Sequence, residues 1–248
     1  MALRAFADGK LFGEVWGESP PDILAMHGWG RRGADFSRVL QGFNAIAPDL
    51  PGFGASPAPP TPIGAEGYAE LVEPLLDEFD RPPLVVGHSF GGRVGICLAA
   101  AFPERVAGLV LTGVPILRLH PATGPAAIFR LVRLLNRIGL VSDERLESER
   151  SRRGSADYRA ASGVMRDILV TVVNESYEDQ LGRVTAPVSM VWGSQDFEVP
   201  VPVAEAAAEL LRAQGKSVEL TVVDGAGHNT PKEAVPELRQ AITKANSR

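Results

Sequence analysis

The sequence predicts an α/β domain built on a mostly parallel β-sheet, with helices on both faces and a helical cap inserted into it. Short apolar strands alternate with helical segments before residue 115 and again after residue 187, which is the pattern of a parallel sheet. Two strands at the start are separated only by Asp8-Gly9-Lys10, which predicts an antiparallel hairpin at one edge. The stretch between these two halves contains helical segments and no convincing strand, and it predicts the cap.

The predicted elements follow one another along most of the chain. Strands are expected at residues 3–7, 11–16, 23–26, 43–47, 84–86, 106–111, 188–192 and 218–223. Core helices are expected at residues 65–79, 90–101, 203–213 and 234–244. On this basis residues 1–114 and 186–248 form the core domain, and residues 115–185 form the helical cap.

The composition is that of a globular protein without nucleic-acid or membrane partners. The chain has 248 residues and a net charge of −5, whereas nucleic-acid binding usually requires a basic face. No stretch approaches the roughly 20 apolar residues of a membrane span, and the N-terminus lacks the apolar core of a secretion signal. Cys97 is the sole cysteine, so no intrachain disulfide can form. We therefore expect a cytoplasmic protein, and the sequence leaves its oligomeric state open.

One helix of the predicted cap is amphipathic. Its apolar face carries Ile128, Leu131, Val132, Leu135 and Ile138, and its other face carries Arg130, Arg133 and Arg137. A solvated polar face explains the arginines most simply. The alternative is that they attract an anionic substrate, because the cap has 11 basic against 9 acidic residues and the remainder has 14 against 21.

The strongest local signal is Gly87-His88-Ser89-Phe90-Gly91, which matches the G-x-S-x-G pattern of a serine nucleophile. A buried strand precedes this motif and a helix rich in small residues follows it at once. The glycines permit the sharp turn that lifts a serine hydroxyl above the sheet edge. The helix N-terminus supplies free N–H groups and the positive end of a dipole, which stabilise a developing oxyanion.

A serine hydroxyl needs a base to take its proton, and the base needs an acid to orient it. Asp196 follows the strand expected at residues 188–192, and His228 follows the strand expected at residues 218–223. The chain order Ser, Asp, His, each after the carboxyl end of a strand, is the order expected for a triad on such a sheet. Ser89, Asp196 and His228 are therefore the predicted catalytic residues. Glu198 and Asp224 are alternative acids, of which Asp224 fits a turn better.

The segment His27-Gly28-Trp29-Gly30 follows the strand expected at residues 23–26 and lies at the same edge of the sheet. Its glycines allow a backbone N–H group to approach a reacting carbonyl. We expect the oxyanion hole to consist of the backbone N–H groups of Trp29 and Phe90. The side chains of Trp29, Phe90 and Phe197 are expected to line an apolar substrate pocket.

The motifs form an ordered set that spans nearly the whole chain outside the cap. Its members are His27-Gly28-Trp29-Gly30, Asp49-Leu50-Pro51-Gly52-Phe53-Gly54-Ala55-Ser56, Gly87-His88-Ser89-Phe90-Gly91-Gly92, Gly193-Ser194-Gln195-Asp196 and Gly227-His228. This set resembles the α/β-hydrolase superfamily, and looks like its small, cofactor-free carboxylesterase branch, near the biotin-pathway esterase, the menaquinone-pathway synthase and the C–C bond hydrolases. The resemblance implies a serine hydrolase with this triad, with no cofactor or metal, acting on an ester or related acyl bond of a small molecule. The cap resembles no member closely enough to name a substrate.

Two other function classes fit parts of the sequence. Gly28, Gly30 and Gly33 match G-x-G-x-x-G, and Asp49 lies near the position of a ribose-binding acid, which would suggest an NAD-dependent oxidoreductase. That interpretation leaves the three triad residues unexplained, and Asp49 also fits a loop-capping role. The chain could instead be a non-catalytic ligand receptor on the same fold, because a fold does not guarantee activity.

Overall fold

The computed structural model describes residues 2–117 and 156–247, and over these residues the chain forms one eight-stranded sheet. Its strands are β1 (Ala2–Phe6), β2 (Leu11–Trp16), β3 (Ile23–Met26), β4 (Ala45–Asp49), β5 (Leu84–His88), β6 (Gly108–Thr112), β7 (Val188–Gly193) and β8 (Val218–Val223). They are arranged in the order β1-β2-β4-β3-β5-β6-β7-β8. Every predicted strand is present, so the predicted fold class is confirmed.

The sheet is antiparallel at one edge and parallel elsewhere. β1 pairs antiparallel with β2, and β2 pairs antiparallel with β4. The six strands from β4 to β8 in the sheet order all run parallel. Because parallel strands end at the same edge, the loops that follow β3, β5, β6, β7 and β8 lie close together there.

The described α-helices connect these strands and cover the sheet. They are α1 (Ser37–Leu40), α2 (Ala65–Val72), α3 (Phe90–Ala101), α4 (Ala156–Ala160), α5 (Gly163–Val172), α6 (Glu178–Arg183), α7 (Val201–Ala213), α8 (Thr230–Glu233) and α9 (Val235–Asn246). Short 3-10 helices occur at Ala7–Gly9, Gly33–Phe36, Glu73–Glu78 and Pro103–Arg105. None of the described helices is both long and apolar enough to cross a lipid bilayer.

The central strands bury both of their faces, because successive residues of a strand point to opposite sides. In β3, Leu24 and Met26 join one hydrophobic cluster, whereas Ile23 and Ala25 join another. The first cluster includes apolar side chains of α2, α3 and α7, and the second includes those of α1 and α9. Helices therefore cover both faces of the sheet, as the alternation of strands and helices along the chain predicted.

Two predicted helices are interrupted near a proline. The helix expected at residues 65–79 ends as an α-helix at Val72 and continues as the 3-10 helix Glu73–Glu78. Pro74 has no N–H to donate to the preceding turn, so the α-helical pattern stops there. The helix expected at residues 234–244 is divided at Ala234 into α8 and α9, and Pro236 lies in the first turn of α9, where a missing N–H costs little.

Three strands differ from the predicted ranges in a way that bears on the site. β4 continues through Pro48 to Asp49, and β5 continues to His88, so both reach further toward the carboxyl edge of the sheet. Pro48 pairs opposite Gly13 of β2, where a Cβ would lie 2.6 Å from the proline Cα. Glycine at this position allows β4 to keep its pairing past residue 47. β6 begins two residues later than expected, because Pro103–Arg105 forms a 3-10 helix before it.

The predicted cap leaves the sheet between two neighbouring strands. β6 and β7 pair directly in parallel, although residues 113–187 separate them along the chain. In its described part this segment forms α4, α5 and α6 and contains no strand between residues 156 and 185. The amphipathic helix with Arg130, Arg133 and Arg137 lies outside the described residues. The boundaries of the cap at residues 115 and 185 stay a prediction.

Candidate active site

Ser89 occupies a sharp turn between the end of β5 and the start of α3. Its φ of 50° and ψ of −113° are rare for a residue other than glycine. Strained backbone of this kind occurs mostly at functional sites, where the surrounding structure imposes it. The flanking glycines are required by close backbone contacts, since a Cβ on Gly91 would lie 2.2 Å from the carbonyl oxygen of Met26. The G-x-S-x-G motif therefore folds as the strand–turn–helix that it predicted.

Backbone hydrogen bonds attach this turn to the ends of two neighbouring strands. The N–H of Ser89 donates to the carbonyl of Thr112, the last residue of β6, at 2.9 Å. The N–H of Gly91 donates to the carbonyl of His27, directly after β3, at 3.0 Å. Ser89 thus lies at the carboxyl edge of the parallel sheet, which is where ligand clefts form in such folds.

His228 and Asp196 form a hydrogen-bonded pair at the same edge. Nδ1 of His228 lies 2.9 Å from Oδ2 of Asp196. The other carboxylate oxygen of Asp196 accepts the backbone N–H groups of Glu198 and Val199, at 3.0 and 2.8 Å. Asp196 is only 3% exposed, and these bonds occupy both of its oxygens. The pair therefore has the arrangement by which an acid fixes the tautomer and orientation of an imidazole.

The surroundings of His228 favour its charged form. Burial by itself lowers the pKa of His228, but the hydrogen bond to Asp196 and the charges of Asp196 and Glu198 outweigh it and raise the pKa above 6.5. Oε2 of Glu198 lies 3.7 Å from Nε2 of His228, on the side of the ring away from Asp196. The positive charge of Arg31 acts in the opposite direction and lowers the pKa of His228.

The end of β6 connects Ser89 to the His228–Asp196 pair. Gly113 directly follows Thr112, and a Cβ on Gly113 would lie 3.0 Å from Nδ1 of His228 and 3.4 Å from Oδ2 of Asp196. The backbone of Ser89 is bonded to Thr112, so all three predicted catalytic residues border this strand end. Among the contacts of the described ranges, the hydroxyl of Ser89 makes no hydrogen bond to His228. The complete triad stays a prediction.

His88 holds the main chain of His228, a contact that sequence analysis missed. Its Nε2 donates to the backbone carbonyl of His228 at 2.9 Å, and the two rings lie 5.0 Å apart. Burial, together with the nearby charge of His228, lowers the pKa of His88 to about 3. His88 is therefore neutral and acts as a hydrogen-bond donor. No sequence pattern reveals such a bond, because it joins residues 140 positions apart.

His27 has a similar structural role on the other side of the Ser89 turn. Its Nε2 accepts the N–H of Leu50 at 2.9 Å, and its Nδ1 donates to the carbonyl of Gly28 at 2.8 Å. Burial lowers the pKa of His27 to about 4, so the ring is neutral and this tautomer is fixed. The bonds join the loop after β3 to the loop after β4, and they hold the segment that contains Trp29.

The two expected oxyanion donors lie beside each other around this segment. Phe90 is the first residue of α3, where backbone N–H groups have no partner within the helix. In the described ranges neither the N–H of Trp29 nor that of Phe90 donates a hydrogen bond to the protein. The rings of Trp29 and Phe90 lie 5.2 Å apart at an interplanar angle of 71°.

Four aromatic rings form one cluster, which we call the aromatic wall: Trp29, Phe53, Tyr68 and Phe90. Phe53 lies 5.0 Å from Trp29, and Tyr68 lies 4.8 Å from Phe90, both edge to face. Of these four residues, the sequence analysis expected only Trp29 and Phe90 to line a pocket. Phe53 stands in the Pro51-Gly52-Phe53-Gly54 motif, which was a usable signal, whereas Tyr68 lies in a segment where only a helix was predicted.

Phe197 lies apart from the aromatic wall. Its side chain is 87% exposed, in the loop that follows β7, immediately beyond Asp196. It makes no ring contact with Trp29 or Phe90 within the described residues. The structure therefore brings together two of the three side chains expected to line a pocket, and a substrate contact of Phe197 stays a prediction.

The alternative acids take different positions. Asp224 accepts the hydroxyl of Ser194 at 3.2 Å, and this hydroxyl in turn accepts the N–H of Gly225 at 2.9 Å. These bonds close a turn, as expected for Asp224. Glu198 is 72% exposed and faces Nε2 of His228, whereas Asp196 faces Nδ1. Asp196 therefore holds the position of the orienting acid.

The possible dinucleotide motif has a structural explanation. The carboxylate of Asp49 accepts the N–H groups of Gly33 and Ala55, each at 2.9 Å, so each of its oxygens is bonded to loop backbone and it caps two loops. A Cβ on Gly33 would lie 2.2 Å from the carbonyl oxygen of Ala47, so close packing requires glycine at this position.

Within residues 2–117 and 156–247 no group of three or more His, Cys, Asp or Glu side chains is placed to hold a metal ion.

Comparison with known proteins supports the resemblance to α/β-hydrolases over most of the chain. The model of the alpha/beta hydrolase family matches residues 23–238. A pimeloyl-[acyl-carrier protein] methyl ester esterase of Chromobacterium violaceum is 41% identical over 106 residues, which are 41% of this chain and 40% of that protein. The chain thus matches about two fifths of the length of the esterase relatives.

Two further similarities extend over longer segments. A 2-hydroxy-6-oxononadienedioate/2-hydroxy-6-oxononatrienedioate hydrolase of Cupriavidus pinatubonensis is 28% identical over 224 residues, covering 75% of this chain and 74% of that protein. The crystal structure of a serine hydrolase involved in carbazole degradation superposes with a TM-score of 0.74 at 21% identity, covering 99% of this chain and 98% of the other. The family model, which matches well over half of the chain, confirms the resemblance seen in the motifs: the chain belongs to the alpha/beta hydrolase family.

Proposed function

We propose that the protein is a serine hydrolase that cleaves a carboxylic ester, or a related acyl bond, of a small molecule. The observation that carries the proposal is the position of Ser89: it lies in a strained turn whose backbone is bonded to Thr112 at the end of β6, and the hydrogen-bonded His228–Asp196 pair lies close to Gly113, the next residue after that strand end. A hydroxyl at such a turn beside an oriented imidazole is the arrangement that nucleophilic catalysis requires. Membership of the alpha/beta hydrolase family supports the same reaction class.

In the proposed reaction, Ser89 attacks the ester carbonyl while Nε2 of His228 takes its proton. Asp196 keeps the proton of Nδ1 in place and stabilises the imidazolium that forms. The imidazolium then gives the proton to the oxygen of the leaving alcohol as the carbon–oxygen bond breaks, which leaves an acyl group on Ser89. A water molecule, deprotonated by His228, releases the acid and restores the hydroxyl.

The free N–H groups of Trp29 and Phe90 are the proposed donors to the tetrahedral oxyanion. Donors that are already in place stabilise the transition state because no reorganisation is needed when the charge develops. His27 supports the first of these groups through its bonds to Gly28 and Leu50. The second lies at the N-terminus of α3, where the helix dipole also favours negative charge.

The acyl group is proposed to lie against the aromatic wall. Trp29 and Phe53 are half-buried, whereas Phe90 and Tyr68 are buried beneath them, so the wall presents an apolar surface beside the reacting serine. Such a surface suits apolar acyl groups of small or medium size. The relatives named as a methyl ester esterase and as a hydrolase of ring-cleavage products make esters and C–C bonds of diketones the first substrates to test.

The experiment combines active-site labelling with a series of substrates. We expect a fluorophosphonate probe to label the wild-type protein on Ser89, and p-nitrophenyl esters of increasing chain length to be hydrolysed. The variant Ser89→Ala should lose labelling and about 10⁴-fold or more of kcat/KM. Its thermal unfolding should stay close to wild type, because the hydroxyl makes no hydrogen bond within the described residues.

A folded wild-type protein that neither reacts with the probe nor turns over any ester or diketone would contradict the proposal and favour a non-catalytic ligand receptor. Retention of wild-type turnover by Ser89→Ala would assign the reaction to another nucleophile. Fluorescence titration with a nicotinamide dinucleotide tests the oxidoreductase alternative separately, and we expect no binding because loop N–H groups occupy the carboxylate of Asp49.

A further inference from the structure

The carboxylate of Glu198 faces the reactive nitrogen of the imidazole, a contact that the proposed reaction does not use. Its Oε2 lies 3.7 Å from Nε2 of His228, whereas Asp196 binds Nδ1 on the other side of the ring. The imidazole therefore lies between two carboxylates. Asp196 is buried and hydrogen-bonded by two backbone N–H groups, but the side chain of Glu198 is 72% exposed and has no such bonds within the described residues.

The position of Nε2 determines what Glu198 can contact during the reaction. In a serine hydrolase the same nitrogen takes the proton of the nucleophile and then gives it to the leaving group, so the leaving group must pass within hydrogen-bond distance of Nε2. A carboxylate 3.7 Å from Nε2 therefore lies close to the path along which the leaving group departs. Its negative charge therefore acts on the leaving alcohol more directly than on the acyl group.

We propose that Glu198 is a specificity-determining residue that selects esters whose alcohol part is uncharged or cationic and disfavours those whose alcohol part is anionic. This inference rests on the proposed function and adds the charge class of the leaving group to it. The loop after β7 fixes the backbone of Glu198, whose N–H is bonded to Asp196, so the carboxylate extends from a fixed position to 3.7 Å from Nε2. Arg31 is a described cation whose charge also acts on His228. It weakens the negative potential that Glu198 produces at Nε2 but does not reverse it, because the Glu198 carboxylate is in direct contact with the ring.

The size of the effect follows from Coulomb's law. Two unit charges about 6–8 Å apart at the edge of a protein interact by roughly 1 kcal/mol, which corresponds to about a fivefold change in kcat/KM. The interaction weakens with ionic strength, because an exposed charge is screened over about 10 Å at 0.1 M salt. A charge preference that depends on salt is therefore the expected signature.

The test uses three acetate esters that differ in the charge of the alcohol: the choline ester, its uncharged isostere 3,3-dimethylbutyl acetate, and the anionic 2-sulfoethyl ester. For each ester kcat/KM is measured for wild type, Glu198→Gln and the control Glu205→Gln. Glu205 is an exposed residue of α7 whose charge is not among the described charges that act on His228, so the control removes a negative charge of the same kind without removing the contact with Nε2. Because the ratios are compared between variants, the intrinsic reactivity of each ester cancels.

We expect Glu198→Gln to lower the ratio of kcat/KM for the choline ester to that for the sulfoethyl ester by about 10- to 30-fold, because the Glu198 charge acts in opposite directions on the two esters, and to change kcat/KM for the uncharged ester by less than for either charged ester. Glu205→Gln should leave the ratio unchanged, and 0.5 M salt should reduce the difference between wild type and Glu198→Gln. An unchanged ratio in Glu198→Gln, or an equal loss for all three esters, overturns the inference. Neither outcome affects the proposed function, which fails instead if wild type hydrolyses no ester and Ser89 is not labelled.

Discussion

Three histidines lie at the carboxyl edge of the sheet, and the surroundings of each determine its protonation. His27 and His88 are buried among backbone groups, and burial lowers their pKa values to about 4 and about 3. His228 is also partly buried, but it is hydrogen-bonded to Asp196 and faces Glu198, and its pKa is raised. A histidine close to the reaction is thus able to change its charge near neutral pH, while the two histidines that support the loops stay neutral.

This difference predicts the pH dependence of the reaction. His228 must be neutral to accept the Ser89 proton, so kcat/KM should rise with pH through a single limb, and the raised pKa places the midpoint of that limb above pH 6.5. His27 and His88 should add no limb above pH 5, because they are already neutral there. The measurement is kcat/KM for an uncharged ester between pH 5 and 9.

The variant Asp196→Asn provides the comparison. It removes the carboxylate that orients the ring and raises the pKa, so we expect a loss of about 10³- to 10⁴-fold in kcat/KM and a shift of the remaining limb to lower pH. A wild-type midpoint well below pH 6 would mean that the Asp196 and Glu198 charges do not govern the imidazole.

At the scale of secondary-structure elements, the turn between β5 and α3 depends on glycines that leave room for backbone. A Cβ on Gly91 would lie 2.2 Å from the carbonyl oxygen of Met26 and 2.6 Å from that of His27, and neither atom can move without moving β3. We therefore expect Gly91→Ala to lower the free energy of unfolding by about 1–3 kcal/mol, although alanine favours a helix. Urea denaturation measures the change.

A matched control is Gly182→Ala in α6. There the nearest atom to a new Cβ is the flexible side chain of Gln214 at 3.4 Å, which is ordinary contact. Alanine should therefore leave stability unchanged or raise it by up to about 1 kcal/mol. If Gly91→Ala were as stable as this control, close backbone contact would not be the reason for glycine in the Ser89 turn.

The same turn illustrates how much of the molecule its sequence could predict. The strands along the chain and the turn that contains Ser89 follow from local signals: apolar runs of strand length, glycine spacing and a helix directly after the motif. Asp196 and His228 each follow the carboxyl end of a strand, and both lie at the same sheet edge because parallel strands end together. The two predicted helices were wrong near Pro74 and at Ala234, because the apolar periodicity continues there but the α-helical hydrogen bonds of the backbone do not.

Contacts between distant parts of the chain could not be predicted from such signals. The bond from His88 to the carbonyl of His228, and the closure of the aromatic wall by Tyr68, depend on how helices pack on the finished sheet. The approach of Glu198 to Nε2 depends on the bonds that fold the loop around Asp196. Residue type and spacing suggest which groups can react, but the packing of the whole chain determines which nitrogen each one faces.

At the scale of the whole molecule, a buried arginine connects the nucleophile helix to the segment inserted after β6. Arg93 lies four residues after Ser89 on α3 and is 9% exposed. Its guanidinium donates to the carbonyl of Val172, the last residue of α5, at 2.7 Å and lies over the ring of Tyr177 at 5.5 Å. The hydroxyl of Tyr177 donates to Glu175, which also accepts the N–H of Ala65 at the start of α2.

Arg93 therefore joins three parts of the chain, and removing it should affect the stability of the whole molecule. Arg93→Met keeps a side chain of similar length but removes the guanidinium, so the buried carbonyl of Val172 loses this donor and we expect a loss of about 2–3 kcal/mol in the free energy of unfolding. The control Arg4→Met removes an exposed ion pair with Glu78 and should cost less than about 1 kcal/mol. Urea denaturation followed by tryptophan fluorescence and by circular dichroism compares the two variants. Equal stability of both would mean that solvent replaces the Arg93 bonds, and that the inserted segment is held to the core by its apolar contacts alone.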